Sequence, residues 1–232
     1  MTSPRKWLLI VAVAAMIASP TADIRAEDKK DNDGYVALFN GKDLTGWKIP
    51  EPPSGEFASV ESKMVDGKVV AFIGKTKAGK DVTLWRVEDG VIIGGGPASH
   101  IFSERGDYEN FHYKFTAKIS DQGNSGQYFR TKFMKNYPNG YEAQINSTHS
   151  DPVRTGSLYN FAKINEQLHK PDEWFTQEVV AKGNHIQIFV NGKQTVDYTD
   201  PKKAFTKGHF ALQGHDPGTV VTFKKIEYKP IK

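Results

Sequence analysis

The chain contains no cysteine. Disulfide scaffolds are excluded, and so is a lipid-anchored form, because no thiol exists to carry the lipid. A second long apolar run is also missing: after Trp7–Ala18 no stretch approaches the about 20 apolar residues that a spanning helix needs. Neither sign of charge dominates, since 31 Lys and Arg stand against 27 Asp and Glu, spread along the chain. A basic stripe suited to nucleic acid is therefore absent, and no such partner is expected. With 21 glycines and 12 prolines in 232 residues, collagen and low-complexity disorder are out as well. The remaining class is an ordinary soluble globular protein.

What is present begins with Arg5 and Lys6 ahead of the twelve-residue apolar run, followed by Ser19-Pro20-Thr21-Ala22. This order of charge, apolar run and small residues reads as a secretory signal peptide over residues 1–26, cleaved near Ala22 to Ala26. The mature protein is then expected to be exported, periplasmic or secreted, with no membrane attachment after cleavage. Residues 27–34 read as a charged flexible segment, and 35–232 as one domain.

Across that domain apolar residues recur with period two. Phe111, Tyr113, Phe115, Ala117 and Ile119 alternate with His112, Lys114, Thr116 and Lys118, giving one dry and one wet face. Asp66-Gly67, Asp89-Gly90 and Asn191-Gly192 lie between strand-like runs and accept the positive φ of tight hairpin turns, so three hairpins are expected. Further strands are expected at 82–87, 91–94, 127–133, 141–146, 174–181, 209–213 and 220–229. About ten strands with short connections close most economically as an all-β jelly-roll sandwich of two antiparallel sheets. Residues 51–81 read as an inserted hairpin, and 148–172 as a long loop with a helical turn near Ala162–Leu168.

Two neighbouring strands carry polar faces. In Tyr141–Asn146, Glu142, Gln144 and Asn146 point away from Tyr141, Ala143 and Ile145. In Gln127–Thr131, a core Phe129 puts Tyr128 and Arg130 on the open side. A carboxylate, two amides, a guanidinium and a phenol then share one sheet surface, a set suited to hydroxyl-rich ligands. The same pattern also fits a solvated sheet face. His149 and His215 lie in polar loops, whereas His112 and His209 sit inside strand patterns and read as structural. Tyr128, Tyr141, Tyr159 and Trp174 are candidate stacking platforms, although aromatics at strand positions are more often core.

Common hydrolytic signatures are absent. There is no His-Glu-x-x-His, no Gly-x-Ser-x-Gly, no phosphate loop, no zinc spacing and no Glu-x-Asp-x-x-Glu strand. Glu142 has no acidic partner in its own strand, which argues against ordinary two-carboxylate glycoside hydrolysis.

Several motifs nevertheless occur together: Leu38-Phe39-Asn40-Gly41-Lys42-Asp43-Leu44-Thr45-Gly46-Trp47, Asn124-Ser125-Gly126 leading to Arg130, and Gly140-Tyr141-Glu142-Ala143-Gln144-Ile145. They continue through Thr155-Gly156-Ser157-Leu158-Tyr159, Glu173-Trp174, Ala181-Lys182-Gly183-Asn184, Val190-Asn191-Gly192, Asp197-Tyr198-Thr199-Asp200-Pro201 and Leu212-Gln213-Gly214-His215-Asp216. In this order they resemble the 3-keto-disaccharide hydrolase, or 3-keto-glucoside lyase/hydratase, family over about residues 35–232. Only residues 51–81 depart, by their length. The resemblance implies a concanavalin A-like sandwich acting on sugars already oxidised at C3. The keto group acidifies the C2 proton, so one base and an enolate stabiliser suffice for β-elimination at C1, with or without later hydration. On chemical type and motif position, Glu142 is the leading base candidate, His215 the acid or alternative base near the leaving group, and Arg130 the enolate stabiliser. Gln144, Tyr159, Tyr128, Asn146, Asn124, His149 and Gln213 are the expected substrate contacts. No cofactor is required, but a divalent metal on Glu142, His149 or His215 is an open route to the same enolate. The expected partners are a glycoside or oligosaccharide and an upstream sugar 3-dehydrogenase supplying the keto substrate. A non-catalytic, lectin-like binding module is the competing reading.

Overall fold

The computed structural model describes residues 31–232, so the expected signal peptide lies outside the described residues. The first strands are β1 (Val36–Ala37), β2 (Trp47–Lys48), β3 (Phe57–Val65), β4 (Lys68–Thr76) and β5 (Asp81–Glu88). They are followed by β6 (Val91–Gly95), β7 (Ser99–Ser103), β8 (Phe111–Ile119), β9 (Asn124–Thr131) and β10 (Tyr141–Asn146). The last are β11 (Phe175–Lys182), β12 (His185–Val190), β13 (Lys193–Thr199), β14 (His209–Gly214) and β15 (Val220–Pro230). Residues 31–34 form a turn in which Asp31 Oδ1 accepts from Asp33 N and Tyr35 N.

Two antiparallel sheets stack face to face. The larger has the order β13-β12-β11-β8-β15-β6-β5-β4-β3 with β1 on β15, and the smaller has the order β10-β9-β14-β7-β2. The expected all-β sandwich is thus the observed one. All three turns lie where the dipeptides place them, with φ of 48° and 73° at Asp66-Gly67, 48° and 77° at Asp89-Gly90, and 50° and 77° at Asn191-Gly192. The inserted hairpin, β3–β4, extends the edge of the larger sheet.

The dry face of β8 packs on the smaller sheet. Tyr113 stacks on Phe210 at 4.0 Å between ring centroids, and Phe111 meets Phe210 edge-on at 4.7 Å. Between the sheets, Gln177 Nε2 donates to Gln127 Oε1 (3.2 Å) and Gln127 Nε2 donates to Tyr113 O (3.2 Å), so the buried amides satisfy one another. His112 bridges Tyr35 and Glu178, and His209 Nδ1 bonds Ser103 O, which gives both histidines the structural places their strand positions suggest.

One expectation fails, and one strand lies where none was expected. No helical turn forms near 162–168, because the backbone there is engaged elsewhere: Arg154 N donates to Ile164 O, and Leu158 pairs with Ala162 across a tight turn. Strand β7 was not anticipated. All five of its residues are buried, so it has no alternation to betray it.

Candidate functional site

On the outer face of the smaller sheet lies a cavity of about 530 Å³, within the usual range of small-molecule sites, about 300–1,000 Å³. Its floor is the pair β9–β10, in which Glu142 stands directly opposite Tyr128 and Gln144 opposite Gly126. Loops 132–140 and 147–172 and the segment after β14 wall it.

Glu142 is only 9% exposed. Burial pushes its carboxyl up to about 8, against the hydrogen bond donated by Tyr128 and with a smaller push from the charge of Asp151. With its amide oriented to satisfy its neighbours, Gln144 donates to Glu142 Oε1 (3.1 Å) and to Ser125 O (3.0 Å). Tyr128 in turn accepts from Gln213 Nε2 at 3.2 Å. Desolvation and the Glu142 charge hold the Tyr128 phenol well above its ordinary value, so it remains a protonated donor.

At one end of the cavity the rings of His149 and His215 come within 5.6 Å, and Asp216 joins them. One ligand atom from each of the three lies within 4.8 Å of the others. His215 Nδ1 bonds Asp216 Oδ2 (3.0 Å), while His149 Nδ1 accepts from Asp151 N (3.0 Å), so the Nε2 atoms are the available positions. Asp216 also accepts from Thr219 Oγ1 and Gly218 N, which ties it to its loop. As a cation-holding set the two histidines therefore stand with Asp216, and Glu142 is not in that cluster.

Seven of the expected residues line the cavity or its histidine end: Glu142, Tyr128, Gln144, Gln213, Tyr159, Asn124 and His215. His149 adjoins His215. Two do not serve as expected. Arg130 turns off the floor because β9 carries an extra residue there: Thr131 pairs with His209 but Tyr128 with Ala211, and Arg130 has φ 51°. Such a bulge reverses the alternation. The guanidinium instead donates from Nε and Nη2 to Glu109 O (2.9 and 2.6 Å) and from Nη1 to Phe205 O (3.3 Å). Asn146 is fully consumed: Nδ2 donates to Asp151 O and Val153 O, and Oδ1 accepts from His149 N and Arg154 Nη1. Its side chain shapes the loop that carries His149 and Asp151.

Among the proposed platforms, Tyr141 is core, stacked on Phe129, and Trp174 lies on the other sheet under Lys224. Sequence reasoning missed Asp151 and Tyr137, both in the cavity wall. Asp151 comes from the long loop, where no periodicity points a side chain anywhere. Its Oδ2 accepts from the Tyr159 hydroxyl (3.2 Å).

A family model described as the 3-keto-alpha-glucoside-1,2-lyase-like domain matches residues 34–229. The chain belongs to this family. It is similar to a candidate glycosyl hydrolase from Parabacteroides distasonis ATCC 8503 at 25% identity and TM-score 0.65, covering 86% of this chain and 95% of that one. A second candidate glycosyl hydrolase from that organism shares the fold at 21% identity and TM-score 0.62, covering 85% and 99%. A Bacillus subtilis protein of unknown function with a galectin-like fold matches at 8% identity and TM-score 0.50, covering 80% and 90%. No curated protein matches. The family member described here is carbohydrate-active, and its ligand is a sugar.

Proposed function

We propose that this protein cleaves 3-keto glycosides by elimination. Glu142 removes the C2 proton, the C2–H electron pair forms the C1=C2 bond, and the C1 oxygen substituent departs, taking a proton from His215. Addition of water to the resulting 2-hydroxyglucal ketone gives net hydrolysis. The observation that carries this reading is the single buried carboxyl at the cavity floor, pushed up to about 8 by desolvation, a value matched to proton abstraction near neutral pH. With Arg130 occupied elsewhere, the enolate oxygen falls to the phenols beside Glu142, Tyr128 once protonation of Glu142 releases its O–H and Tyr159 on turning from Asp151. Burial raises both phenols, so both stay protonated. A divalent cation on the Nε2 atoms of His149 and His215 would supply further charge stabilisation to that enolate. Supply of the substrate requires a separate oxidation of the sugar at C3, and the order of charge, apolar run and small residues in 1–26 supports an exported site of action.

Asp151 supports a second reading. A carboxylate in the same cavity as a protonated Glu142 is the starting arrangement of two-carboxylate glycoside hydrolysis. The test is nitrophenolate release from p-nitrophenyl glucoside and from its 3-keto derivative, with and without chelator. Elimination predicts release from the keto compound alone, a glucal product by NMR, and a loss of about a hundredfold or more in Glu142→Gln. Release from the unoxidised glucoside assigns Asp151 and Glu142 to direct hydrolysis. Sugar binding without release from either leaves a binding module.

A further inference from the structure

Next to the Glu142 row, three polar atoms have no partner in the protein. His100 on β7 is 0% exposed, and neither Nδ1 nor Nε2 is hydrogen-bonded. Gln213 Oε1, on the residue directly opposite it on β14, is likewise buried and unbonded. Native proteins satisfy nearly all such groups, and the exceptions gather where something else is to be bound.

Glu142, Tyr128, Gln213 and His100 cross the adjacent strands β10, β9, β14 and β7. Three strand spacings separate the backbones of Glu142 and His100 by about 14 Å, so the row extends to the side of the base instead of ending at it. His100 meets Tyr128 edge-on at 5.4 Å and Tyr137 edge-on at 5.8 Å. Tyr137 touches His100 on one side and lines the cavity on the other. It lines the cavity wall yet is 51% exposed, so its ring is not locked in the core. Its neighbour Asn136 is held by the segment that leads into β3: Asn136 N donates to Pro53 O (3.0 Å) and Gly55 N to Asn136 Oδ1 (3.1 Å).

We propose that His100 and Gln213 form a second sugar subsite beneath Tyr137, which accepts hydroxyls of the ring attached to C1 of the sugar held at Glu142. This rests on the reading of the Glu142 cavity as a glycoside site. A neutral imidazole offers one donor and one acceptor, and a hydroxyl is both at once. Burial, aided by His215, lowers His100 to about 3, so the ring stays neutral throughout the working range. Rotation of Tyr137 toward solvent opens the subsite. A site built of buried polar groups rejects a ligand that lacks the matching hydroxyls, so His100 and Gln213 set a preference for disaccharides over simple glycosides.

The experiment compares gluco-disaccharides with methyl glucoside, both unoxidised in calorimetric binding and both as 3-keto derivatives in turnover. His100→Leu is expected to weaken disaccharide binding and raise its KM by about tenfold or more, with kcat little changed and methyl glucoside within about twofold. Its melting temperature is expected to be no lower than wild type, because the change removes two unsatisfied buried atoms. His100→Phe, which keeps a ring in the same place but removes both nitrogens, should show the same selective loss and covers the case in which His100→Leu fails to fold. Equal weakening of both ligands, or no change in either, overturns the subsite. Absence of keto-sugar turnover in the wild type would count against elimination alone, since the disaccharide preference is still read from binding.

Discussion

A methyl group on Gly126 would lie 2.3 Å from Glu142 Oε1, so the carboxylate rests in a space that only glycine leaves open. The strand pairing makes this inevitable, because Glu142 projects across β9 between Tyr128 and Gly126. Gly126→Ala is therefore expected to fold, since the obstructed group is a side-chain terminus, but to swing the carboxylate off the reacting carbon. Misplacing a catalytic group by about 1 Å costs about a hundredfold. Turnover measured beside a melting curve checks it, and unchanged turnover would remove Glu142 from the chemistry.

The kcat/KM profile of the elimination should rise with pH to a plateau, with its midpoint near the Glu142 value of about 8, because the base works only when ionised. Tyr128 donates to the charged form, so Tyr128→Phe should move that midpoint upward. A falling limb near the same pH would instead identify Glu142 as a general acid.

The same proton affects stability. The folded carboxyl at about 8 sits above its ordinary 4.5, so between those values the native state holds a proton that the unfolded chain releases. Stability from this group is present below about pH 4.5 and is lost as pH rises toward 8. Glu142→Gln removes the titration. Its melting temperature should match wild type near pH 5 and exceed it near pH 8.

Arg130→Met should cost about 3 kcal/mol in denaturant unfolding, because it strips buried carbonyls of charged donors. KM and the pH profile of the folded fraction should not move. A selective fall in kcat would return the guanidinium to the reaction.

Asn146→Ala deletes four hydrogen bonds that gather His149, Asp151, Val153 and Arg154. We expect a loss of about 3 kcal/mol or more together with weaker sugar binding, since Asp151 and His149 depend on that loop. Retained stability with reduced affinity would make Asn146 a ligand contact after all.

Strands with one dry face were legible, as in Phe111–Ile119, and so were the three glycine turns. Strand β7 was not, because burial on both faces erases the period, and His100 went unnoticed with it. Glu142 was legible because one polar residue between Tyr141 and Ala143 has to face outward. Arg130 misled because a bulge leaves no trace in residue spacing, although it reverses every side chain beyond it. Asp151 was hidden because a loop has no fixed direction. The spacing of Phe161, Ile164 and Leu168 imitates a helix, but the pairing of Leu158 with Ala162 and of Arg154 with Ile164 claims the backbone first.

The β3–β4 hairpin lies at the edge of the larger sheet while Glu142 lies on the smaller one, and the segment leading into the hairpin reaches Asn136 beside Tyr137. Lengthening or trimming that segment resets one wall of the groove without disturbing Tyr128, Gln144 or Gly126. Evolution can thereby revise what the protein accepts while inheriting its chemistry unchanged.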